Sequence, residues 1–322
     1  MQEFLFILLL LSISRGQYTN WTKLGVDEEY GSYLDSTSDL YKELFQTRPY
    51  QRDLSPVYSK QPKNSSAFNR PPLNVSITLS FVKIFELDPQ KQTMTALIEF
   101  VQQWKDVRLA WDREDFDDVE MIWVKYDTIW IPEYSMIDLS SYNEAWPDYR
   151  RPARLTSDGA VYLDSMAVAT LSCLMDLGTF PFDTQTCPIA FALNTYSVNQ
   201  ITMEGVLFPD FDYSKLSGNG EWELRNITKE MIRVPSDIAA LDLLFFNLHL
   251  KREPNFYLYV IVLPCFLLTL LSVIGMFWTE NNKDEQLTKL SIGLTSMMSM
   301  TIFVQMVSEQ IPRTSTFPLL GE

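Results

Sequence analysis

The stretch Cys173-Leu174-Met175-Asp176-Leu177-Gly178-Thr179-Phe180-Pro181-Phe182-Asp183-Thr184-Gln185-Thr186-Cys187 decides how the rest of the chain is read. Two cysteines enclose thirteen residues, with Phe180, Pro181 and Phe182 near the centre. In an oxidising compartment these cysteines pair, and closing a loop of this size is worth about 3 kcal/mol through the unfolded chain. The third cysteine, Cys265, lies in an apolar run beside Pro264, where a buried free thiol is expected.

An exported chain fits that pairing. Met1-Gln2-Glu3 leads into an apolar run from Phe4 to Leu11 and then small residues to Gly16, the pattern of a secretory signal peptide over 1–16, although no Lys or Arg precedes the run. Asn-x-Ser/Thr sequons stand at Asn20, Asn64, Asn74 and Asn226, all ahead of the first long apolar segment. An extracellular domain is therefore expected over 17–253.

Working outward from the loop, the chain alternates. Val75, Ile77, Leu79 and Phe81 fall on one face of a half-buried strand. Further β-type runs are Thr95–Trp104, Val161–Leu171, Pro188–Leu193, Trp222–Ile227 and Leu241–Leu250, and a helix-compatible patch lies near Ser38 to Gln46. Many short strands with turns between them predict a mainly β, antiparallel sandwich rather than an α/β fold.

The last quarter changes character, and a partial transmembrane domain is expected over 254–322. Residues 256–278 carry no charge and are long enough to cross a hydrocarbon core. A second run, 290–308, places Ser291, Thr295, Met298, Ile302, Gln305 and Glu309 on one helical face. A polar stripe of that kind suits a helix lining water rather than lipid.

Together the Cys173–Cys187 spacing and the Phe180-Pro181-Phe182-Asp183 centre resemble the signature loop of the Cys-loop receptors, the pentameric ligand-gated ion channels, in a divergent form similar to nicotinic acetylcholine receptor subunits. The resemblance extends through Trp104-Lys105-Asp106, Trp111-Asp112, Trp130-Ile131-Pro132-Glu133, Arg252-Glu253-Pro254 and Leu263-Pro264-Cys265 to Ile311-Pro312-Arg313. It implies a β-sandwich ligand-binding ectodomain on a helical membrane domain, at the plasma membrane with the N-terminus outside. Its partners are a small-molecule agonist and homologous subunits in a homo- or hetero-pentamer. In such a subunit Phe180, Pro181 and Phe182 press toward Pro312 and Thr314, and Arg252 pairs with an acid after Phe85, Glu86 or Asp88. The other reading of Lys251-Arg252 is a membrane-flanking anchor.

For the pore, the resemblance implies a ring of Glu309 carboxylates at the outer mouth, apolar rings of Met298 and Ile302, and hydroxyls of Ser291 and Thr295 below. Thr288 stands where cation-selective relatives carry Glu before the basal Lys289, and Asp284 and Glu285 are the acids one turn earlier. A cation path is expected. The family's aromatic cage for a cationic agonist is incomplete: Ile137 and Asn194 occupy two of its positions, and Glu99 replaces an aromatic. Phe100, Tyr162 and Tyr196 remain as ligand candidates. The subunit then contributes a complementary face only, binds something other than a quaternary amine, or is a structural member of a hetero-pentamer. Because the sequence reaches Glu322 before a third membrane helix, a truncated, non-conducting subunit that modulates assembly of related channels is the rival reading.

Several classes are set aside. With 26 Lys and Arg against 41 Asp and Glu, the chain has nothing to neutralise nucleic-acid phosphates. No nucleophile, base and orienting residue recur at an enzyme's spacing, and no cofactor or metal is expected around the lone His249. Trp104, Trp111 and Trp123 are assigned to the sandwich core, and Asp112 to Glu120 to a solvated face.

Overall fold

A computed structural model of the chain describes residues 25–57, 71–147, 151–207, 217–235, 241–278 and 283–310. The expected signal peptide, Asn20, Asn64, Pro312 and Thr314 lie outside these residues. The described residues divide between two compact units, within 1–61, 103–132 and 148–163 for one, and within 62–102, 133–147 and 164–322 for the other.

The first unit opens with helix α1, Glu28–Lys42, continued by a π-helical turn, Glu43–Thr47. Asp27 caps it by accepting from the Tyr30 amide at 2.7 Å, and Glu28 and Glu29 sit in the first turn, where the helix dipole favours acids. The helix therefore starts ten residues before Ser38. Gly31, Ser32, Ser36 and Thr37 lower intrinsic propensity and hide it from a pattern reading. In the same unit β3 (Met121–Lys125), β6 (Pro152–Thr156) and the start of β7 (Ala160–Ser172) form an antiparallel strip. Gly159 turns the chain between β6 and β7 at φ 82°, and a Cβ there would lie 2.6 Å from the Asp106 carbonyl oxygen. Trp104 and Trp111 are buried in this unit as expected, whereas Trp123 is 56% exposed because β3 turns it outward.

The second unit holds the remaining strands: β1 (Leu73–Asp88), β2 (Thr93–Lys105), β4 (Ser135–Met136), β5 (Leu139–Glu144), β8 (Thr184–Ala192), β9 (Ile201–Leu207), β10 (Trp222–Val234) and β11 (Leu241–Arg252). One sheet runs β7-β2-β1-β9 with β5 added on β7, and the other runs β10-β11-β8-β4. Its core joins the two sheets through rings: Phe100 of β2 meets Phe191 of β8 at 5.1 Å, and Phe191 meets Phe246 of β11 at 6.0 Å. At Gly205 on β9 a side chain of β11 packs close to the backbone, since a Cβ there would stand 2.5 Å from Leu244 Cδ1. The sandwich is thus the mainly β fold the alternation predicts. Two details differ. The β1–β9 pair is parallel, and the burial alternation of β1 slips after Leu79, so that Val82 rather than Phe81 is buried.

Helical structure follows β11. Asn255–Tyr257 (α2), a π-helical stretch Leu258–Val262 and Leu263–Trp278 (α3) run on in sequence. The π-helical register ends next to Pro264, whose missing amide donor would otherwise interrupt an α-helical ladder. Among the described residues, Asn255–Gly275 is the one helix long and apolar enough to cross a membrane. Cys265 in it is half-buried rather than buried. Helix α4, Lys283–Gln310, follows.

Candidate functional site at the foot of the sandwich

Cys173 and Cys187 are joined, with Cα atoms 5.0 Å apart. The loop they close is tied down from both sides. Gln92, in the turn between β1 and β2, accepts from the Cys173 amide through its carbonyl at 2.8 Å and from the Met175 amide through Oε1 at 2.6 Å. Inside the loop Gln185 donates to the Asp176 carbonyl and to Asp183 Oδ2, each at 2.6 Å.

Asp183 is fully buried, and it faces Arg252, which is 1% exposed. The guanidinium grips the carboxylate with two donors, Nε to Oδ1 at 2.7 Å and Nη2 to Oδ2 at 3.2 Å. A third donor, Nη1, reaches Glu221 Oε1, which also accepts from the Tyr257 hydroxyl at 2.9 Å. The guanidinium lies 4.1 Å from the centre of the Trp222 ring and 5.0 Å from that of Phe180. Phe180 in turn meets Tyr257 edge-on at 4.8 Å. A cation removed from water is tolerable here because two carboxylates and aromatic faces replace its hydration.

The pairing corrects the sequence expectation: Arg252 is held by Asp183 and Glu221, not by Glu86 or Asp88. Strand register is the reason. In the β11–β8 ladder Lys251 stands opposite Thr184, so Arg252 abuts Asp183, and in the β10–β11 ladder Arg252 stands opposite Trp222, beside Glu221. Asp88 is already engaged, accepting from Lys91 Nζ at 2.7 Å and from the Gln90 and Lys91 amides. Those bonds, the Lys91 side chain first, hold its carboxyl below the usual range. A surface anchor is excluded too, since the arginine is buried.

The loop tip is split. Phe180 and Pro181 are buried, while Phe182 is 52% exposed. Sequence reasoning named Phe180, Pro181, Phe182 and Arg252 but missed Asp183 as a partner, along with Gln185, Glu221, Trp222 and Tyr257. Only the pairing of β11 with both neighbours reveals them.

The ligand candidates are not brought together. Phe100 has no exposed surface; it packs against Tyr134 at 5.4 Å and Phe191, so it is core and not a ligand contact. Alternation along β2 gives the outward positions to Leu97, Glu99 and Val101 instead. Desolvation, then the charge of Asp164, raises the Glu99 carboxyl above its ordinary value. Tyr162 and Tyr196 are half-buried. Asn74 and Asn226 are exposed. His249 lies between Thr186 and Thr228, its ring nitrogens 3.2 and 2.9 Å from their hydroxyls. Among the described residues no group of His, Cys, Asp and Glu is placed to hold a metal ion.

On α4 the half-buried positions Lys289, Ile292, Ser296, Ser299 and Phe303 form one stripe, and Ser291, Thr295, Met298, Ile302 and Gln305 are exposed on other faces. Thr295 and Ser299 donate to carbonyls one turn back, at 2.9 Å each. Such bonds let hydroxyls ride on an otherwise apolar helix. Glu309 belongs to the last turn.

Comparison with known proteins adds independent findings. Residues 37–254 match the neurotransmitter-gated ion-channel ligand binding domain. The chain is 29% identical over 303 residues to the neuronal acetylcholine receptor subunit alpha-9 of Gallus gallus, covering 92% of this chain and 58% of the relative. It is 31% identical over 266 residues to the acetylcholine receptor subunit alpha-type des-2 of Caenorhabditis elegans, covering 79% and 47%. The proton-gated ion channel subunit pbo-6 of the same organism is 27% identical over 249 residues, 77% of this chain and 58% of the relative. The chain spans about half the length of the curated relatives it matches. These are receptor and channel proteins, not enzymes.

Proposed function

We propose a channel role for this chain, which belongs to the neurotransmitter-gated ion-channel ligand binding domain family. It is one subunit of a pentameric, extracellular ligand-gated ion channel of the plasma membrane. Its sandwich, expected over 17–253, senses the ligand, the apolar helix from Asn255 crosses the membrane, and α4 lines the pore. The observation that carries this reading is the Arg252 cluster. One buried guanidinium links the disulfide loop through Asp183, the foot of β10 through Glu221, and the entry of the apolar helix through Tyr257. A strand displaced by ligand cannot shift its end without disturbing those bonds, so movement of the sandwich reaches the helix. A shared buried charge of this kind suits a two-state element.

Phe182, exposed at the loop tip, presses on the segment around Pro312 in this reading. Five copies place Ser291, Thr295, Met298, Ile302, Gln305 and Glu309 around an aqueous path. The Glu309 ring and the acids Asp284 and Glu285 favour cations. Support for the pore face comes from α4 itself, where the half-buried stripe is a different one. The agonist is not a quaternary amine held by this chain's own aromatic cage, since Phe100 is core and Glu99 takes the outward place.

The test is expression of the full-length polypeptide, alone and with related subunits, with currents recorded against amines, amino acids and protons under ion substitution. Agonist-gated cation currents that lose cation preference in Glu309→Lys are the expected result. Surface-expressed pentamers that never conduct with any partner would sink the channel reading and favour the assembly-modulating one.

A further inference from the structure

Strand β10 forms an open edge. The second sheet runs β10-β11-β8-β4, so among the described residues no strand pairs with the outer side of β10. Its last stretch, Thr228 to Val234, is exposed at every position and includes Met231, Ile232 and Val234. An unpaired, apolar edge invites pairing with other chains, and proteins blunt such edges with proline, charges or a cover. Strand β10 holds no proline. The two cations of the stretch are spent elsewhere: Lys229 Nζ donates to the Gly205 carbonyl at 2.7 Å, and Arg233 grips Asp242 at 2.8 and 3.2 Å.

A different device stands at the base of that stretch. Trp222 and Leu224 are buried, and a strict period of two would bury the residue at 226 as well. The register shift between Leu224 and Asn226 prevents it: Arg225 and Asn226 are both exposed, and Ile227 takes the inward place. The irregularity thus presents to solvent the first residue of the sequon Asn226-Ile227-Thr228. Asn226 Oδ1 accepts from the Ile227 amide at 2.9 Å, and among the described residues nothing engages its Nδ2. At Asn74, the other described sequon asparagine, Nδ2 donates to Glu204 Oε2 at 3.1 Å. Beside Asn226 the sheet is polar. Asn226 stands opposite His249 and His249 opposite Thr186, with the Thr228 hydroxyl 2.9 Å from His249 Nε2. Sugar hydroxyls find partners on such a row.

We propose that Asn226 carries an N-linked glycan whose first sugars lie over the His249 row and shield the open edge of β10. In the transfer, Nδ2 attacks the anomeric carbon of a lipid-linked oligosaccharide diphosphate. The N–C bond forms, the C–O bond to the diphosphate breaks, the diphosphate leaves with its lipid, and an amide proton goes to the transferase. A bulky, hydrated group rooted two residues before Thr228 keeps other strands from the edge. The proposal needs an exported domain and no conduction, so currents decide the channel reading separately.

The test uses the full-length polypeptide expressed in animal cells and purified in detergent. Deglycosylation by an amidase in heavy-oxygen water, followed by peptide mass spectrometry, marks an occupied Asn226 as labelled aspartate. Asn226→Gln then aggregates severalfold faster than the unmodified protein by light scattering, while Thr228→Ser, which keeps the sequon, does not. Adding Ile232→Lys to Asn226→Gln restores the slow rate, because a charge on the edge replaces the lost cover. Enzymatic removal of glycans from the folded protein, with and without Ile232→Lys, gives the same comparison where Asn226→Gln is not exported. An unmodified Asn226, a loss of glycan without faster aggregation, or aggregation that Ile232→Lys leaves unchanged overturns the proposal. So does a loss of pentamers in Ile232→Lys alone, which would make the edge a subunit contact.

Discussion

Two buried aspartates are each gripped by an arginine, one in each unit, and they are built by opposite means. In the first unit Asp106, fully buried, is held by Arg108 only two residues away, with Nη2 to Oδ2 at 2.6 Å. Asp106 also caps the short turn Val107–Leu109 and accepts from the Tyr50 hydroxyl at 3.0 Å. Arg108 remains 28% exposed along its side chain and spends a further donor on the Leu54 carbonyl at 2.8 Å. In the second unit Asp183 and Arg252 are 69 residues apart and each 1% exposed. The local pair is a turn fastener with water at its edge. The distant pair joins a loop, two strands and a helix entry, and water does not reach it.

The difference is largest when the arginine is removed. Arg252→Ala leaves Asp183 buried, with Gln185 as its remaining side-chain partner among the described residues, and takes the third donor from Glu221. The expected cost is about 3–5 kcal/mol, the range for breaking a buried pair by deleting one partner. It is read as a drop in the denaturation midpoint of the full-length protein. Glu86→Gln is the control and leaves the midpoint nearly unchanged, since Glu86 is exposed. Combining Arg252→Ala with Asp183→Asn, which removes the stranded charge, costs less than the sum of the single changes. Additive costs would mean that the two groups do not act as a pair.

That contrast also explains what a reading of residues could reach. The local pair lies within the five residues Trp104-Lys105-Asp106-Val107-Arg108, of which the sequence reading singled out Trp104-Lys105-Asp106. The disulfide loop, the Phe180 tip and the alternating strands were equally legible, because spacing and period two are properties of the sequence itself. Arg252 was legible as a residue of interest but not its partners, because a register is a relation between strands. Strand β10 shows a related limit. It continues seven residues past Ile227, but Thr228 to Val234 are exposed at every position and leave no alternation to detect. Phe100 failed for a third reason. The distinction between Glu99 and Phe100 is which face of β2 points outward, and neighbouring aromatics alone do not say.

Removing the local arginine is the middle-sized effect. In Arg108→Ala, Asp106 keeps the Tyr50 hydroxyl, and water can reach the vacated edge, so the loss is about 1–2 kcal/mol, near that of charge-assisted hydrogen bonds. The same denaturation assay compares it with Arg252→Ala. Equal losses would show that exposure and chain separation do not govern the two pairs as argued.

The smallest effect is a pH window found in the first unit. Burial pushes the Tyr50 phenol up to about 12, the charge and hydrogen bond of Asp106 adding to it while the Trp130 amide and Arg108 pull the other way. An unfolded tyrosine titrates near about 10. The folded state therefore holds its proton where the unfolded chain has released it. This contribution to stability is complete below about 10 and is lost as pH rises from there toward about 12. Tyr50→Phe removes the titrating group, so the stability advantage of the unmodified protein over this variant shrinks across that window and is constant below it. Melting curves taken between these limits for both proteins give the answer. A constant advantage throughout would mean that the phenol is not held protonated by its burial beside Asp106, and the local cluster would then be more open to water than its geometry implies.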